Sequence, residues 1–236
     1  QGRLFFVKNI AIIPARGGSK RIHRKNIKKF CGKPIIYWTI QAIKKSNIFD
    51  EIVVSTDDEE IAEIAKKYGA STPFFRPKDL ADDFTTTHSV VFHAVNALID
   101  LGYELNNICC LYPCSPFIQP FDLVETLKLI EDKKNYYIYP VTEFPHPINR
   151  AIRLTKENKV QFIESDTEQT RTQDLESAYH DSGQFYWGTK DTWLNVGKMH
   201  SNAYGYNIPN WRVVDIDSME DWYRAEIIFK ILDLYV

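Results

Sequence analysis

A chain of 236 residues with 29 basic and 31 acidic side chains has room for one large α/β domain or two small ones, and its net charge of −2 excludes a general polyanion binder. No apolar run approaches the roughly 18 residues of a membrane span, the opening QGRLFFVKN lacks a signal-peptide pattern, and no basic stripe points to nucleic acid. Cys31, Cys109, Cys110 and Cys114 match no standard zinc spacing, so they are expected as reduced thiols in a cytoplasmic protein.

Strand and helix patterns then alternate along the chain. KNIAIIP (8–14) is a continuous apolar run of the kind a buried parallel strand carries. GKPIIYWTIQAIKKS (32–46) opens with a proline suited to a first helical turn and sets Ile36, Ile40 and Ile43 on one face. EIVVST (51–56) predicts a strand, and DDEEIAEIAKKYGA (57–70) a helix with acids in its first turn and Gly69 as its stop. The same rhythm gives a strand at 72–77, a helix at 85–102, a strand at 106–113, a helix at 119–134 and a strand at 136–143. Such alternation means βαβ units and a mainly parallel sheet flanked by helices.

From about 143 to 210 the rhythm breaks into an aromatic-rich stretch, expected as an insertion with a hairpin formed by AIRLT (151–155) and KVQFIES (159–165). WRVVDID (211–217) predicts a returning strand, and residues 218–236 a closing helix with Ser218 and Asp221 as a capping box. The organisation expected is a single domain over 8–236, with 143–210 as wall of a binding site and dimer arm. Ligands of an open parallel sheet bind beyond the carboxyl ends of its strands, which directs attention to the loops after Pro14 and Leu111 and to Asp215.

Residues 16–33 hold eight lysines and arginines and no acid. A solvated face needs no such one-sidedness, whereas a ligand with several negative charges does. Gly17 and Gly18 let backbone approach a ligand closely, and Arg16, Lys20, Arg21, Arg24 and Lys25 surround them with charge. The GK[ST] ending of a Walker loop and the GxGxxG fingerprint are both absent. A phosphate cradle of another lineage remains, best matched to a triphosphate; a flexible basic surface loop is the plainer alternative. Late in the chain, Asp215 and Asp217 are two apart, so on a strand both carboxylates share one face. Two such acids repel unless a cation sits there, and Mg²⁺ or Mn²⁺ takes one or two carboxylates, waters and phosphate oxygens. The alternative is a helix N-cap beside a solvated acid.

IIPARGGSKRIHRKN (12–26) resembles the signature loop of the cytidylyltransferases that activate nonulosonic and related acidic sugars, such as CMP-sialic acid synthetases. The resemblance implies that Ala15, Arg16, Gly17, Gly18, Ser19, Lys20, Lys25 and Asn26 hold the CTP phosphates, with Arg16, Lys20 and Lys25 as the catalytic cations. Arg21 stands where the family often has glycine, and His23 where it often has proline. RPKDLADDFTTT (76–87) resembles the family's nucleobase-side segment and implicates Arg76, Thr85 and Thr86; the family's metal ligands fall on Asp215 and Asp217. LYPCSPF (111–117) replaces a Gln-Pro-Thr-Ser-Pro run of the sialic acid enzymes, with Tyr112 for the glutamine and Cys114 for the threonine. A phenol does not reproduce a glutamine's hydrogen bonds, which disfavours N-acetylneuraminate.

RTQDLESAYHDSGQFYWG (171–188) is similar to the run His-Asp-x-Gly-Gln-Phe-Tyr-Trp found in the family's pseudaminic acid branch. The implied fold is a Rossmann-like sheet of the nucleotide-diphospho-sugar transferase type, usually a homodimer. The implied reaction transfers CMP from CTP to pseudaminic acid, releasing pyrophosphate, for bacterial surface and flagellin glycosylation. Arg171 is then the partner of the sugar carboxylate, and His180, Asp181, Gln184, Phe185 and Tyr186 line the sugar pocket with Tyr112 and Asn149 near. Phe185 and Tyr186 read equally well as core-strand aromatics. Legionaminic, sialic or another ulosonic acid, a sugar 1-phosphate, or a catalytically silent CTP-binding module are the competing readings. All forms of the nucleotide reading require Lys20 and Asp215 at one cleft.

Overall fold

The computed structural model describes residues 5–163 and 169–233; Glu164 and Ser165 of the predicted hairpin and positions 234–236 of the closing helix lie outside them. β1 (Phe5–Pro14) sends Ile10 and Ile12 to one face and Ala11 and Ile13 to the other, all fully buried. The two faces feed two different apolar clusters, the two-sided burial expected of a central parallel strand. β2 (Lys29–Phe30) and β3 (Lys33–Pro34) then form a small hairpin, turned through Cys31 and Gly32 at positive φ.

α1 (Ile35–Ser46), β4 (Glu51–Ser55), α2 (Glu59–Lys67), α3 (Thr87–Asp100), β5 (Tyr103–Leu111), α4 (Pro120–Asp132) and β6 (Tyr137–Glu143) continue the alternation. Ile36, Ile40 and Ile43 of α1, Ile61 and Ala65 of α2, and Leu123 and Ile130 of α4 cover one sheet face. Val91, Ala94, Val95 and Leu98 of α3 cover the other, joined by Trp193 of α5 (Lys190–Asn195). A third cluster joins Ile22, Phe30 and Phe117 to Ile216 and to Trp222 of α6 (Met219–Asp233). It ties the basic loop to the late aspartates through apolar contact.

Among the described residues the central sheet runs β11-β6-β10-β5-β1-β4, where β10 is Phe185–Thr189 and β11 is Ala203–Asn207. β4, β1 and β5 are mutually parallel, as are β6 and β11; β10 alone crosses between β5 and β6 in the opposite sense, and β9 (Tyr179–Asp181) pairs antiparallel with β6. The mainly parallel α/β expectation is met. The stretch 143–210 is not a simple insertion, however, because its second half supplies β9, β10 and β11 to the main sheet. Only β7 (Ile152–Leu154) and β8 (Val160–Phe162) stand apart as the expected hairpin.

Two predicted strands are absent. Residues 72–77 carry prolines at 73 and 77, which cannot donate to a ladder, and only Ser71 bridges to Val53. Residues 213–217 form no strand, following a tight turn at Asn210–Arg212. This segment is held from its ends. Arg212 is 5% exposed and its guanidinium meets the fully buried Asp122 of α4 at 2.6 Å, while its carbonyl accepts the Gln184 side-chain amide at 2.8 Å. Beyond it, the Asp221 carboxylate accepts the Ser218 N–H at 2.9 Å and Ser218 Oγ accepts the Asp221 N–H at 3.2 Å, the predicted capping box. Removing one partner of a buried ion pair leaves a charge without compensation. Asp122→Ala is therefore expected to lower unfolding stability by about 3–5 kcal/mol in denaturant titration.

Candidate active site

The carboxyl ends of β1 and β5 open onto a cleft of about 520 Å³ whose lining includes Pro14, Arg16, Ser19, Lys25, Asn26, Arg76, Thr85, Tyr112, Gln184 and Asp215. Nine of these ten were singled out by the sequence; Pro14 was placed there only as the strand's last residue. Lys20 reaches the rim: its ammonium lies 2.5 Å from Asp83, which lines the same cleft as Asp215. The two ends of the chain thus face one space.

The loop after β1 is clamped before it can cradle anything. Arg24, at φ 54° in the left-handed region, binds Asp58 at 2.5 and 2.9 Å and Glu60 at 2.5 Å. Asp58 also caps α2 by accepting the Ile61 N–H at 3.0 Å. Arg24 is therefore a clasp for the loop, not part of the anion-binding charge. Gly17 N–H donates to Asp57 Oδ1 at 2.9 Å, and a Cβ at Gly17 would sit 2.6 Å from Asp58 Oδ2. Its glycine is required by the close acidic shelf, whereas a Cβ at Gly18 would meet nothing within 4 Å. Asn26 is buried, its amide donating to the Arg16 carbonyl at 2.8 Å while its oxygen receives the Cys114 thiol at 3.2 Å. Ala15 is fully buried and its N–H donates to the Ser55 carbonyl at 2.9 Å.

Four more loop cations are held by acids from distant segments. Arg16 meets Asp83 at 2.7 Å and the carbonyl of Asp82; Arg21 and Lys25 meet Asp217 at 2.5 and 3.6 Å. Exposed pairs of this kind are weak and exchange readily for a polyanion. Arg76 differs: it is 5% exposed, bonded to the Ser55 carbonyl at 2.5 Å and to Ser55 Oγ at 3.2 Å, and enters no ion pair among the described residues. Burial lowers its pKa to about 10, so it stays a cation at neutral pH.

Asp215 takes no hydrogen bond or ion pair among the described residues, and its pKa is raised by partial burial and by the neighbouring Asp217 charge. A solvent-exposed acid pressed by a second acid, beside a cationic loop, is a donor set suited to a hard divalent ion that also binds phosphate. No cluster of three or more His, Cys, Asp or Glu side chains of metal-binding geometry occurs among the described residues. Any such ion would draw on these two carboxylates, with waters and ligand oxygens completing it.

The expected sugar residues separate. Tyr112 and Gln184 line the cleft. Tyr112 shares a 2.6 Å hydrogen bond with Thr87, and burial pushes its phenol up to about 12. Asp181 accepts Tyr186 Oη at 2.6 Å and lies 3.0 Å from His200 Nε2, just behind Tyr112. Phe185 is fully buried in the core and, like Asp181 and Tyr186, is not among the residues lining the cleft, a correction explained for Phe185 by the alternation of β10. Thr86 is the N-cap of α3, accepting the Ser89 N–H, and its neighbour Thr87 takes the cleft position. Asn149, Arg171 and His180 are absent from the cleft lining; His180 stacks obliquely on Phe144 at 4.7 Å, and Arg171 is exposed at the turn before Thr172–Asp174. Sequence reasoning missed Asp82, Asp83, Ser182 and Gly183, which line the cleft; the two acids stood beside Thr85 in the stretch already singled out.

The Arg24 clasp makes a pH prediction. The guanidinium holds the Asp58 carboxyl below its usual range, so its contribution is present above the unfolded pKa of about 3.9 and lost as pH falls through the folded value. Wild type is expected to lose stability more steeply than Arg24→Ala below about pH 4, as read by thermal melts across pH.

The chain matches the cytidylyltransferase family model over residues 10–208. It is 42% identical over 228 residues to the pseudaminic acid cytidylyltransferase of Campylobacter jejuni subsp. jejuni serotype O:23/36 (strain 81-176), covering 95% of this chain and 97% of that protein. It is 30% identical to the N-acylneuraminate cytidylyltransferase of Escherichia coli O18:K1:H7 over 92% of this chain and 51% of that longer protein. The solved structure of CMP:2-keto-3-deoxy-manno-octonic acid synthetase complexed with CTP superimposes with a TM-score of 0.71, covering 94% of this chain and 98% of that one, at 15% identity, which bears on fold alone. A match spanning the sheet from β1 through β11 places the basic loop in a known setting: this chain belongs to the cytidylyltransferase family.

Proposed function

We propose that the protein transfers CMP from CTP to a nonulosonic acid, pseudaminic acid, giving CMP-pseudaminic acid and pyrophosphate. The observation that carries this reading is the convergence of Arg16, Lys25 and Asp215 on one cleft, with Lys20 at its rim, in a chain 42% identical to an enzyme of that name. The sugar's anomeric oxygen bonds to the α-phosphorus, the bond from that phosphorus to the β-phosphate oxygen breaks, and the hydroxyl proton passes to solvent. Arg16, Lys20 and Lys25 exchange Asp83 and Asp217 for triphosphate oxygens and offset charge growing on the leaving pyrophosphate. Arg76 sits deeper, at the end of β4, where a buried unpaired cation suits the nucleoside side. Mg²⁺ or Mn²⁺ held by Asp215 and Asp217 would add charge neutralisation at the phosphates.

The same reading includes a cytoplasmic homodimer acting in surface-glycan synthesis. None of the four cysteines forms a disulfide, and no helix among the described residues is long and apolar enough to cross a membrane. The β7–β8 hairpin exposes Ile152, Leu154 and Val160, with Ile163 beside them, an apolar patch suited to a second copy. Charge placed there, as in Leu154→Glu with Val160→Glu, is expected to shift the protein from dimer to monomer in light scattering.

A coupled pyrophosphate assay with CTP and a panel of acids tests the reaction. Pseudaminic acid is expected to give the highest kcat/KM, and a marked preference for N-acetylneuraminate or for a sugar 1-phosphate would overturn the assignment. Lys20→Ala and Asp215→Asn are each expected to lower kcat by about 10²–10³-fold, the scale for losing one electrostatic contact to a transition state.

A further inference from the structure

The segment between Arg76 and α3 contributes Leu80, Asp82, Asp83 and Thr85 to the wall of the main cleft. Its ends are fixed: the Arg76 N–H donates to the Thr56 carbonyl at 2.8 Å, and Thr86 Oγ1 accepts the Ser89 N–H at 3.2 Å. Its middle folds on itself. Asp82 Oδ1 accepts the Phe84 N–H at 3.0 Å and both the N–H and the hydroxyl of Thr85 at 2.7 Å. That turn spends the Asp82 carboxylate inside the segment and sets the Asp83 carboxylate against the basic loop.

Asp83 there does what a phosphate group would do. Its two oxygens are divided between two cations, Oδ1 at 2.7 Å from Arg16 and Oδ2 at 2.5 Å from Lys20. The Asp82 carbonyl takes the other terminal nitrogen of Arg16. One oxygen on each of two cations is the arrangement of a bridging phosphate. Lys20 and Arg16 hold the Asp83 carboxyl below its usual range, so this internal anion keeps its charge at neutral pH. Asp217, the other acid on the loop's cations, has a second use in the proposed metal site. Asp83 has none: among the described residues its only partners are Arg16 and Lys20.

We infer that Asp83 is an internal competitor of the triphosphate. It occupies the phosphate seat of the free enzyme, yields Arg16 and Lys20 to CTP, and returns to them as pyrophosphate leaves. The inference rests on the proposed reaction and adds the residue that keeps polyphosphate affinity low enough for product release. Asp83 touches no reacting atom, so it acts through the two cations.

A gain of affinity is the diagnostic result, because a damaged site binds less and not more. Binding of pyrophosphate, CTP and cytidine to Asp83→Asn is measured by titration calorimetry, and inhibition by pyrophosphate is measured in turnover. Pyrophosphate and CTP are expected to bind about 3–10-fold more tightly, the scale for freeing a seat that exposed ion pairs keep mostly filled. Cytidine, which carries no phosphate, is expected to bind as to wild type, and the Ki for pyrophosphate to fall by the same factor as its Kd. Asp79→Asn removes the same charge from an exposed position on the same segment, outside the cleft lining, and is expected to change nothing. Unchanged or weaker polyphosphate binding in Asp83→Asn overturns the inference, as does equal tightening in Asp79→Asn. Asp83→Ser repeats the comparison should the first variant fold poorly. The titrations need no sugar, so wild type that binds CTP but releases no pyrophosphate with any nonulosonic acid overturns the reaction and not the competition. Wild type that binds neither CTP nor pyrophosphate overturns both.

Discussion

Like-charge repulsion in the basic loop is the constraint around which the structure is arranged. Eight cations crowd residues 16–33, and acids from elsewhere come to five of them, Arg16, Lys20, Arg21, Arg24 and Lys25. They come from three places: Asp58 and Glu60 after β4, Asp83 after Arg76, and Asp217 before α6. The pairings differ in kind. Arg24–Asp58 is partly buried, two-pronged and coupled to a helix cap, so it fixes the loop. Those to Asp83 and Asp217 are more exposed and hold side chains that a polyanion can claim. One loop thus combines a permanent anchor with exchangeable contacts.

The late aspartates meet the opposite problem, a segment with no ladder to fix its position. Their position is set by the buried Arg212–Asp122 pair upstream, by Ile216 in the cluster with Phe30 and Trp222, and by the α6 cap downstream. Gln184 joins this support by bonding the Arg212 carbonyl, which fixes its amide nitrogen and leaves its oxygen without a partner among the described residues. A residue expected to read the sugar is also a strut for the acidic edge. The Arg212–Asp122 pair accordingly matters twice, for stability and for where Asp215 stands.

Much of this was legible in the sequence because periodicity and charge clustering are local. Ile36, Ile40 and Ile43 sit on one helix face, Ser218 and Asp221 form their box, and the basic loop follows the first strand as expected. The failures share a cause. WRVVDID has the alternation of a strand, but alternation records burial of Ile216 and exposure of Asp215, not the presence of a pairing partner. Phe185 and Gln184 are neighbours in one motif, yet strand alternation sends the first into the core and the second to the cleft. Arg24 could not be told from Lys25 by composition; its left-handed backbone aims it at Asp58. β11 went unnoticed because AYGYN is short and carries a glycine, needed because a Cβ at Gly205 would lie 2.9 Å from Val141.

The reversed strand β10 has a consequence for how the chain assembles during synthesis. β1, β4 and β5 can pair with one another once the chain through residue 111 has left the ribosome. β6 follows by residue 143 but cannot join them, because the place between β5 and β6 belongs to residues 185–189. The nascent sheet therefore waits with β5 as an open edge for some seventy codons' worth of chain, until the strand beginning at Phe185 arrives and seals it. The aromatic-rich segment that finishes the binding site is also the segment that ends the period in which the half-built sheet is open to mispairing.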